Sequence, residues 1–459
     1  MDARWTPRER LFFWGLFAAG IAWNVFALLL SAGWSLDDEL SHYLRSRSVW
    51  ENPALIFDAW TRIGRNLFHV LPAPFGLTAT RLWTLAFAAL SVLLTTRLAA
   101  RLEAPRTWLI PLLLCFQPWF VELSWGVLTQ LPFLLLLIGG VLGLSANRLI
   151  LSGLCFGALP LVRHEGIALT ALWGVLVAGR TLLVSPRAFL RPLAAVVFST
   201  APMAAYNLAA WLALGELPSR LLLSAKPTEI YGHGPLWHFI PISILPAGVF
   251  TLALLAVGTP ALLRQWRATW TLLFFPAYFG LHTLIYWQGL FASGGYYHFL
   301  MPMAPGLAVG ALFGANALLD RPDRKSRRVA IGLLVGAVVQ GLLLVHLWRD
   351  GRPHLTVIRD PIVHAIDEAF TWQKQNRPHA TVVCHHIYAA WREDWIETPA
   401  RRQLDNTPPP QLPGGTIVLW DEKYADLTGL PLATLQADPA WQPVASFGNG
   451  SVQIFEKVH

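Results

Sequence analysis

The stretch LFFWGLFAAGIAWNVFALLLSAGWSLDDELSHY, residues 11–43, decides the fold class of this chain. Its first part is an apolar run long enough to cross a membrane, which takes roughly 20 residues for about 30 Å of hydrocarbon. Three consecutive carboxylates, Asp37, Asp38 and Glu39, follow directly. A chain in which 14% of the residues are charged therefore places three acids at a membrane boundary.

Apolar runs of this kind recur to about residue 348, and hydrophobic residues make up 54% of the chain. We predict an all-α polytopic membrane protein with about 11 transmembrane helices. The first run is longer than the apolar core of a signal peptide and lacks a small-residue cleavage site, so it is interpreted as a retained anchor. The predicted spans lie near residues 11–33, 80–98, 107–121, 125–146, 149–162, 165–180, 193–213, 239–262, 270–288, 299–319 and 329–348.

Basic residues are concentrated in alternate loops, most strongly in DRPDRKSRR at 320–328. By the positive-inside rule these loops and the N-terminus are cytoplasmic, and the acidic loop and the C-terminal region lie on the opposite side. The net charge of +8 then comes mostly from basic residues that anchor the cytoplasmic loops at the membrane, and it does not indicate nucleic-acid binding. Arginine greatly outnumbers lysine, which favours a bacterial inner membrane with a periplasmic C-terminal region.

The composition changes at Trp348, after which charges are frequent and apolar runs are strand-sized. We predict a transmembrane domain over 1–348, with an acidic first extracytoplasmic loop at 34–79, and a soluble α/β domain over 349–459. The residues Cys384, His385 and His386 suggest a metal site, but no second ligand pair stands at metal-site spacing, so a structural role is favoured. The predicted elements of this domain are a helix at 361–375 and strands at 381–384, 416–420 and 451–455.

The three acids have two interpretations. They could form a solvated cap on the following helix, where acids suit the positive helix end, although Ser35 alone would suffice as a cap. Alternatively, clustered carboxylates raise one another's pKa and supply a general base or a ligand for a divalent metal. Glu122, predicted on the same side of the membrane, is a candidate second carboxylate.

Charged residues also interrupt an apolar sequence at Arg163, His164 and Glu165. They are either a solvated loop between two short spans or the polar lining of a site, because ionisable groups at membrane depth usually face a cavity or a partner. Further cationic and histidine side chains predicted on that side could bind a phosphate by charge-assisted hydrogen bonds, or be ordinary interface polarity. They are Arg220, Lys226, His233, His238 and His298.

A first span followed by an acidic pair and then an aromatic residue or histidine resembles the GT-C-fold glycosyltransferases that use polyprenyl-phosphate sugars, among them the protein O-mannosyltransferases and aminoarabinose transferases. Here DDELSHY places Asp38 and Glu39 at the acidic pair and His42 and Tyr43 at the aromatic position. The segment ILSGLCFGALPLVRHEGIAL resembles the family's span ending in Arg-x-Glu-Gly, and GGYYHFLMPMAPGLA its late Pro-x-x-Pro segment. Family members often carry an arginine where His298 stands and an acid near Gln130.

The resemblance implies a polyprenyl-phosphate sugar donor, with transfer to an extracytoplasmic hydroxyl of a lipid, glycan or protein. Attack opposite the departing phosphate would invert the anomeric configuration. It also implies that Asp38 acts as general base, with Asp37 or Glu39 as its partner. Arg163 or Lys226 would bind the phosphate, with His42 orienting the base and a divalent metal as a possible cofactor. The rival classes are a multi-span transporter or lipid flippase, for which no repeated halves are found, and a non-catalytic assembly subunit.

Overall fold

The computed structural model describes residues 5–31, 37–58, 62–184, 190–218, 232–290, 294–343, 361–396, 398, 400–401, 404, 407–425 and 430–458. The chain divides into two compact units. One comprises Met1–Ser31 and Ile56–Thr356, and is called the helical unit below. The other comprises Ala32–Leu55 and Val357–His459, and is called the mixed unit.

The helical unit is built from apolar helices, because its long runs offer few polar side chains and satisfy their backbone internally as helices. Short 3-10 turns connect several of them. The helices are α1 (Pro7–Leu30), α3 (Ile63–His69), α4 (Leu77–Arg101), α5 (Ile110–Cys115), α6 (Pro118–Leu123), α7 (Gln130–Ser145), α8 (Leu149–Val162), α9 (Gly166–Val184), α10 (Leu190–Leu214), α11 (Phe239–Ala247), α12 (Val249–Arg264), α13 (Trp266–Thr269), α14 (Phe274–Trp287), α15 (Ala304–Leu319) and α16 (Arg324–Leu343).

By length and composition, the described part of the chain has six helical segments able to cross a membrane, or seven if the bent pair α11–α12 is one span. Three shorter apolar helices, α7, α8 and the first part of α9, fall in other predicted spans. The predicted run at 107–121 is broken into a 3-10 turn, α5 and α6, with Pro111 and Pro118 in the first turns of the two helices. These helices agree with an integral membrane protein, but the count of eleven spans is not confirmed.

Buried polar side chains tie the helices of this unit together. Asn24 of α1 donates to the carbonyl of Cys115 at 3.1 Å and accepts from the Ser124 hydroxyl at 2.9 Å. Gln117 donates to the carbonyl of Ala304 at 3.2 Å. In an apolar environment such contacts between helices replace the water that these groups would otherwise bind. They fix α1, α6 and α15 around the segment that carries Glu122.

Among its described residues, the mixed unit has α2 (Asp37–Ser48), three further helices with described bounds and one four-stranded sheet. The helices are α17 (Pro361–Asn376), α18 (Ile387–Arg392) and α19 (Leu432–Ala437), and the strands are β1 (Val382–Val383), β2 (Ile417–Asp421), β3 (Trp441–Phe447) and β4 (Val452–Lys457). The sheet order is β1-β2-β4-β3, with β1 and β2 parallel and the other pairs antiparallel. The α/β composition expected for the C-terminal region is therefore present.

The helix and three strands predicted after residue 360 are found, but β3 is an additional strand. Its sequence WQPVASF contains Pro443, which argues against a strand because proline cannot donate to the ladder. Proline is tolerated here because β3 lies at the sheet edge, with a register shift between Pro443 and Ala445. Edge position is a property of the assembled sheet, so local sequence did not reveal it.

The boundary of the acidic loop also differs from the sequence prediction. We placed the whole of 34–79 in the transmembrane domain, whereas residues 32–55 group with the C-terminal residues in the mixed unit. The remainder, from Ile56 onward, belongs to the helical unit. The acidic loop is accordingly divided into α2, a 3-10 turn at Pro53–Phe57 and α3.

Asp421, at the end of β2, is a fully buried carboxylate within the mixed unit. Its Oδ1 accepts the backbone N–H groups of Lys423 at 3.1 Å and Tyr424 at 2.8 Å, while its buried Oδ2 has no hydrogen-bond partner among the described residues. Burial raises the pKa of Asp421 from 3.8 to about 6. Ionisation above this pH therefore destabilises the fold.

We expect Asp421→Asn to stabilise the mixed unit, since asparagine keeps the Oδ1 acceptor and removes the charge. The folded pKa exceeds the unfolded one, so the wild-type free energy of unfolding falls as pH rises from about 4 to about 6. The gain is up to about 3 kcal/mol at pH 7 and vanishes below about pH 4. The gain in the free energy of unfolding is measured by urea titration at pH 7 and at about pH 4, with hydrogen exchange in β2 and β4 as the probe. An equal gain at the two pH values would contradict this account.

Candidate functional site

A buried ion pair lies at the turn between α8 and α9. Arg163 donates from Nη2 to Glu165 Oε1 at 2.6 Å and from Nε to Oε2 at 3.3 Å, while its Nη1 donates to the Thr129 hydroxyl at 2.9 Å. The Glu165 side chain is 2% exposed and that of Arg163 is 11% exposed. The alternative that these residues are simply a solvated loop is therefore wrong, because both charges are enclosed by the helical unit.

Two glycines permit the close approaches that build this turn. A Cβ on Gly166 would lie 2.4 Å from the carbonyl carbon of Leu159, so only glycine lets α9 begin against the end of α8. A Cβ on Gly64 would lie 2.7 Å from Val162, which brings the start of α3 against the same helix end. The glycine of the Arg-x-Glu-Gly element is thus needed for steric reasons, since a side chain at Gly166 would collide with the end of α8.

Arg62, at the start of α3, completes the cluster from a distant part of the chain. Its Nη2 lies 3.1 Å from His164 Nδ1, although the two residues are 102 positions apart. Arg62 holds φ at +66°, a region that costs of order 1–3 kcal/mol for a residue with a Cβ. A backbone held in this state by its surroundings is a feature found at functional sites.

Histidine and aromatic rings surround the ion pair. His282 of α14 is fully buried, and its Nε2 lies 3.6 Å from Glu165 Oε1. The Arg163 guanidinium stands 4.6 Å from the centre of the Phe299 ring, which also stacks with His282 at 5.8 Å. Tyr278 donates its hydroxyl to the Phe299 carbonyl at 2.9 Å. Arg163 is thereby fixed on one side by a carboxylate and on another by an aromatic face.

The charges in this cluster influence one another. Arg163 provides the counter-charge of Glu165 in this enclosed turn. His164 lies between Arg62 and Glu165, with its Nδ1 3.1 Å from Arg62 Nη2 and its Nε2 3.8 Å from Glu165 Oε2. The charge of Asp58 also acts on Arg62. The ionisable groups of the cluster are therefore two arginines, two carboxylates and His164.

A second group of buried cations lies along α3 and α4. Arg65 is fully buried, and His69 lies against the Arg65 carbonyl and the Thr84 hydroxyl, both at 3.2 Å from its ring nitrogens. Arg81 stands 4.9 Å from the centre of the Trp125 ring. The helical unit therefore encloses more arginine side chains than its apolar composition suggested. Buried arginines usually have a functional or structural partner.

The structure resembles two solved membrane proteins. One is ArnT from Cupriavidus metallidurans bound to undecaprenyl phosphate, at 12% identity and a TM-score of 0.60, covering 96% of this chain and 97% of that one. The other is the arabinofuranosyltransferase AftD from Mycobacteria, at 14% identity and a TM-score of 0.53, covering 98% of this chain but 40% of AftD. The chain has the GT-C glycosyltransferase fold. No protein-family model and no curated protein sequence matches it.

Within the GT-C fold, Glu122 and His298 lie on neighbouring segments. Glu122 Oε1 accepts the hydroxyl of Tyr297 at 2.8 Å. His298, 5% exposed, stacks on Tyr296 at 5.3 Å and meets the Phe299 ring edge-on at 4.4 Å. Tyr297, Arg62 and His282 were not among the site residues predicted from sequence. A histidine inside the apolar run FGLHTLIYW was a usable signal for His282, because ionisable residues in spans are rare.

The three acids lie in the mixed unit, on α2. Asp38 is exposed and Glu39 is fully buried, while the side chain of Asp37 is outside the described residues. His42 is 6% exposed and Tyr43 is 3% exposed.

The remaining predicted residues are dispersed or outside the described part of the chain. Arg220 and Lys226 lie outside it, so their predicted contact with a phosphate stays a prediction. His233 is exposed, and His238 is close to Gly295, whose carbonyl lies 2.8 Å from its Nε2. His386 caps α18 by accepting the Tyr388 N–H at 3.2 Å. Among the described residues, no group of three His, Cys, Asp or Glu side chains could hold a metal ion.

Proposed function

We propose that this protein is an integral membrane glycosyltransferase that moves a sugar from a polyprenyl-phosphate carrier to an extracytoplasmic hydroxyl. The observation that carries the proposal is the enclosed cluster of Arg62, Arg163, His164 and Glu165 in a unit built mainly from apolar helices. Ionisable groups at such depth cost several kcal/mol and are characteristic of functional sites. The GT-C fold, and a neighbour bound to undecaprenyl phosphate, support this class of donor.

The cluster suits a phosphate that must leave water while its lipid tail stays in the membrane. Arginine binds phosphate through paired, charge-assisted hydrogen bonds. Arg163 is already bound by Glu165 and Thr129, so its guanidinium is pre-oriented before any ligand arrives. Arg62 lies against Nδ1 of His164, whose Nε2 is 3.8 Å from Glu165 Oε2, so a second guanidinium belongs to the same cluster. We therefore assign phosphate binding to Arg62 as well as to the expected Arg163.

Replacing Arg62 by glutamine is expected to weaken binding of undecaprenyl phosphate. Loss of one charge-assisted contact costs roughly 1.5–3 kcal/mol, or about 10- to 150-fold in affinity. Binding is measured by titrating undecaprenyl phosphate into the protein in nanodiscs. Arg264→Gln, an exposed arginine in the last turn of α12, is the matched control and should bind as the wild type does. Equal binding by the Arg62 and Arg264 variants would remove Arg62 from the phosphate site.

The chemistry itself requires a base for the acceptor hydroxyl. We assign that role to Asp38, which is exposed on α2, with His42 one helical turn further on, where it could orient the carboxylate. The proton passes from the hydroxyl to Asp38 as the oxygen attacks the anomeric carbon and the polyprenyl phosphate departs with the bonding electrons. Attack opposite the leaving phosphate implies inversion. Glu39 is buried, so it suits a supporting role better than contact with substrate.

The proposed function is tested by mass spectrometry of glycolipids and cell-envelope glycans from cells with and without the gene. We expect a sugar substituent to be missing without the gene and restored by the wild-type copy. An unchanged set of glycans, together with unchanged lipid-linked sugars, would contradict transfer. Transport of a lipid without transfer would change the distribution of a lipid-linked sugar between leaflets but not the glycan products.

The orientation of the chain is a separate prediction. The basic loops predict that the C-terminal residues lie on the side opposite the N-terminus. A cysteine introduced at the exposed residue Glu368, in a variant without the native cysteines, should react with a membrane-impermeant maleimide in intact spheroplasts. A cysteine in place of the exposed Arg324, in the basic loop at 320–328, is the matched control and should react only after permeabilisation. The reverse pattern would overturn the topology.

A further inference from the structure

The helix that carries the acids is joined to the C-terminal residues by an ion pair. Arg47, in the last turn of α2, donates from Nη2 to Asp394 Oδ2 at 2.8 Å and makes a second, parallel contact from Nη1 to Oδ1. The two residues are 347 positions apart in the chain. A bidentate arginine–carboxylate contact fixes direction as well as distance, which a single contact would not do.

Asp394 is itself held in place by the end of α18. The backbone N–H of Trp395 bonds to the carbonyl of Ala390 at 2.8 Å, and that of Asp394 to Trp391 at 3.3 Å. This double contact is the Schellman motif, and Asp394 occupies its left-handed position with φ at +54°. Asparagine and aspartate are among the residues that tolerate this conformation. The carboxylate partner of Arg47 is therefore presented by a rigid helix end.

α18 is in turn bound to α17, the first helix of the C-terminal part. Asp367 Oδ1 accepts the Tyr388 hydroxyl at 2.9 Å and Arg392 Nε at 2.7 Å. The Arg392 guanidinium also stands 5.0 Å from the centre of the Phe370 ring. Contacts thus run without interruption from α17 through α18 and Asp394 to Arg47 on α2.

The position of Arg47 on α2 determines what this attachment does. Arg47 is nine residues from Asp38, and at about 100° per residue the two side chains project from opposite faces of the helix. Tyr43, one turn before Arg47, is buried and interacts with it. One face of α2 is therefore fixed to the C-terminal residues, and the opposite face presents the exposed Asp38.

We propose that Arg47 and Asp394 are positioning residues that set the orientation of α2 and, through it, the direction of Asp38. This rests on the proposed function for the role of Asp38. The C-terminal residues then have a part in the transfer step. The acid-bearing helix cannot turn about its axis without breaking the bidentate contact.

The test compares Arg47→Gln, Asp394→Asn and the double variant in the full-length protein. Amide hydrogen exchange of residues 37–48 should become roughly three- to fivefold faster in each single variant, as expected for loss of a partly exposed ion pair. The double variant should exchange no faster than the singles, because both changes remove one shared contact. Arg377→Gln is the matched control. Arg377 makes a bidentate pair with Glu456, with contacts of 3.0 and 3.1 Å, and neither residue is part of α2.

A second readout separates positioning from folding. Product measured by mass spectrometry in cells should fall by roughly tenfold in each single variant, while binding of undecaprenyl phosphate stays at the wild-type value. Arg47→Lys, which keeps the charge but not the bidentate geometry, should fall between wild type and Arg47→Gln.

Unchanged exchange in α2, or faster exchange with normal product, would overturn the positioning role. Faster exchange in the strands β2 and β4 as well would show general unfolding, and would overturn it too. If Asp38→Asn also makes normal product, the proposed function fails. The exchange data alone then decide whether Arg47 and Asp394 hold α2.

Discussion

Asp38→Asn is expected to reduce sugar transfer by at least about 100-fold, because a general base contributes typically 10²–10⁴-fold. Asparagine has nearly the same shape as aspartate but cannot take the proton of the acceptor hydroxyl. Binding of undecaprenyl phosphate should be almost unchanged, since Asp38 acts on the acceptor and not on the donor phosphate. The measurements are product abundance by mass spectrometry and donor titration in nanodiscs.

The matched control is Glu51→Gln, an exposed carboxylate just beyond the end of α2. It should make product at the wild-type level, and Asp37→Asn should lose less activity than Asp38→Asn. A product that keeps the anomeric configuration of the donor would exclude direct inverting attack. Near-normal turnover of the Asp38→Asn protein would remove Asp38 as the base.

Glu165→Gln is expected to have the largest effect on stability. It removes the charged partner of Arg163 and leaves an uncompensated buried guanidinium, a change that costs about 3–5 kcal/mol. The free energy of unfolding is measured by SDS titration in mixed micelles. Asp320→Asn is the matched control, because the Arg106–Asp320 pair has side chains 32% and 57% exposed and should contribute at most about 1 kcal/mol.

A double variant provides an independent check on Glu165. Arg163→Gln/Glu165→Gln should lose less free energy of unfolding than the sum of the two single changes, because they share one interaction. A loss in Glu165→Gln no larger than that in Asp320→Asn would show that the pair is not enclosed.

Local sequence determined most of the elements of this protein. Apolar runs predicted the helices of the helical unit, since backbone groups in an apolar environment must bond within the segment. Short apolar runs after Trp348 predicted three of the four described strands and the helix Pro361–Asn376. Arg163 and Glu165 were also recognised from local sequence, because charges that interrupt a span are visible in one stretch.

Only the tertiary structure decided which distant residues join these local features. Arg62 meets His164 across 102 residues, and Arg47 meets Asp394 across 347. Periodicity reports one face of one element and carries no information on the element packed against it. The acidic loop was therefore recognised from its residues, but its division, with α2 attached to the C-terminal residues and α3 to the helical unit, follows from packing that no local pattern encodes.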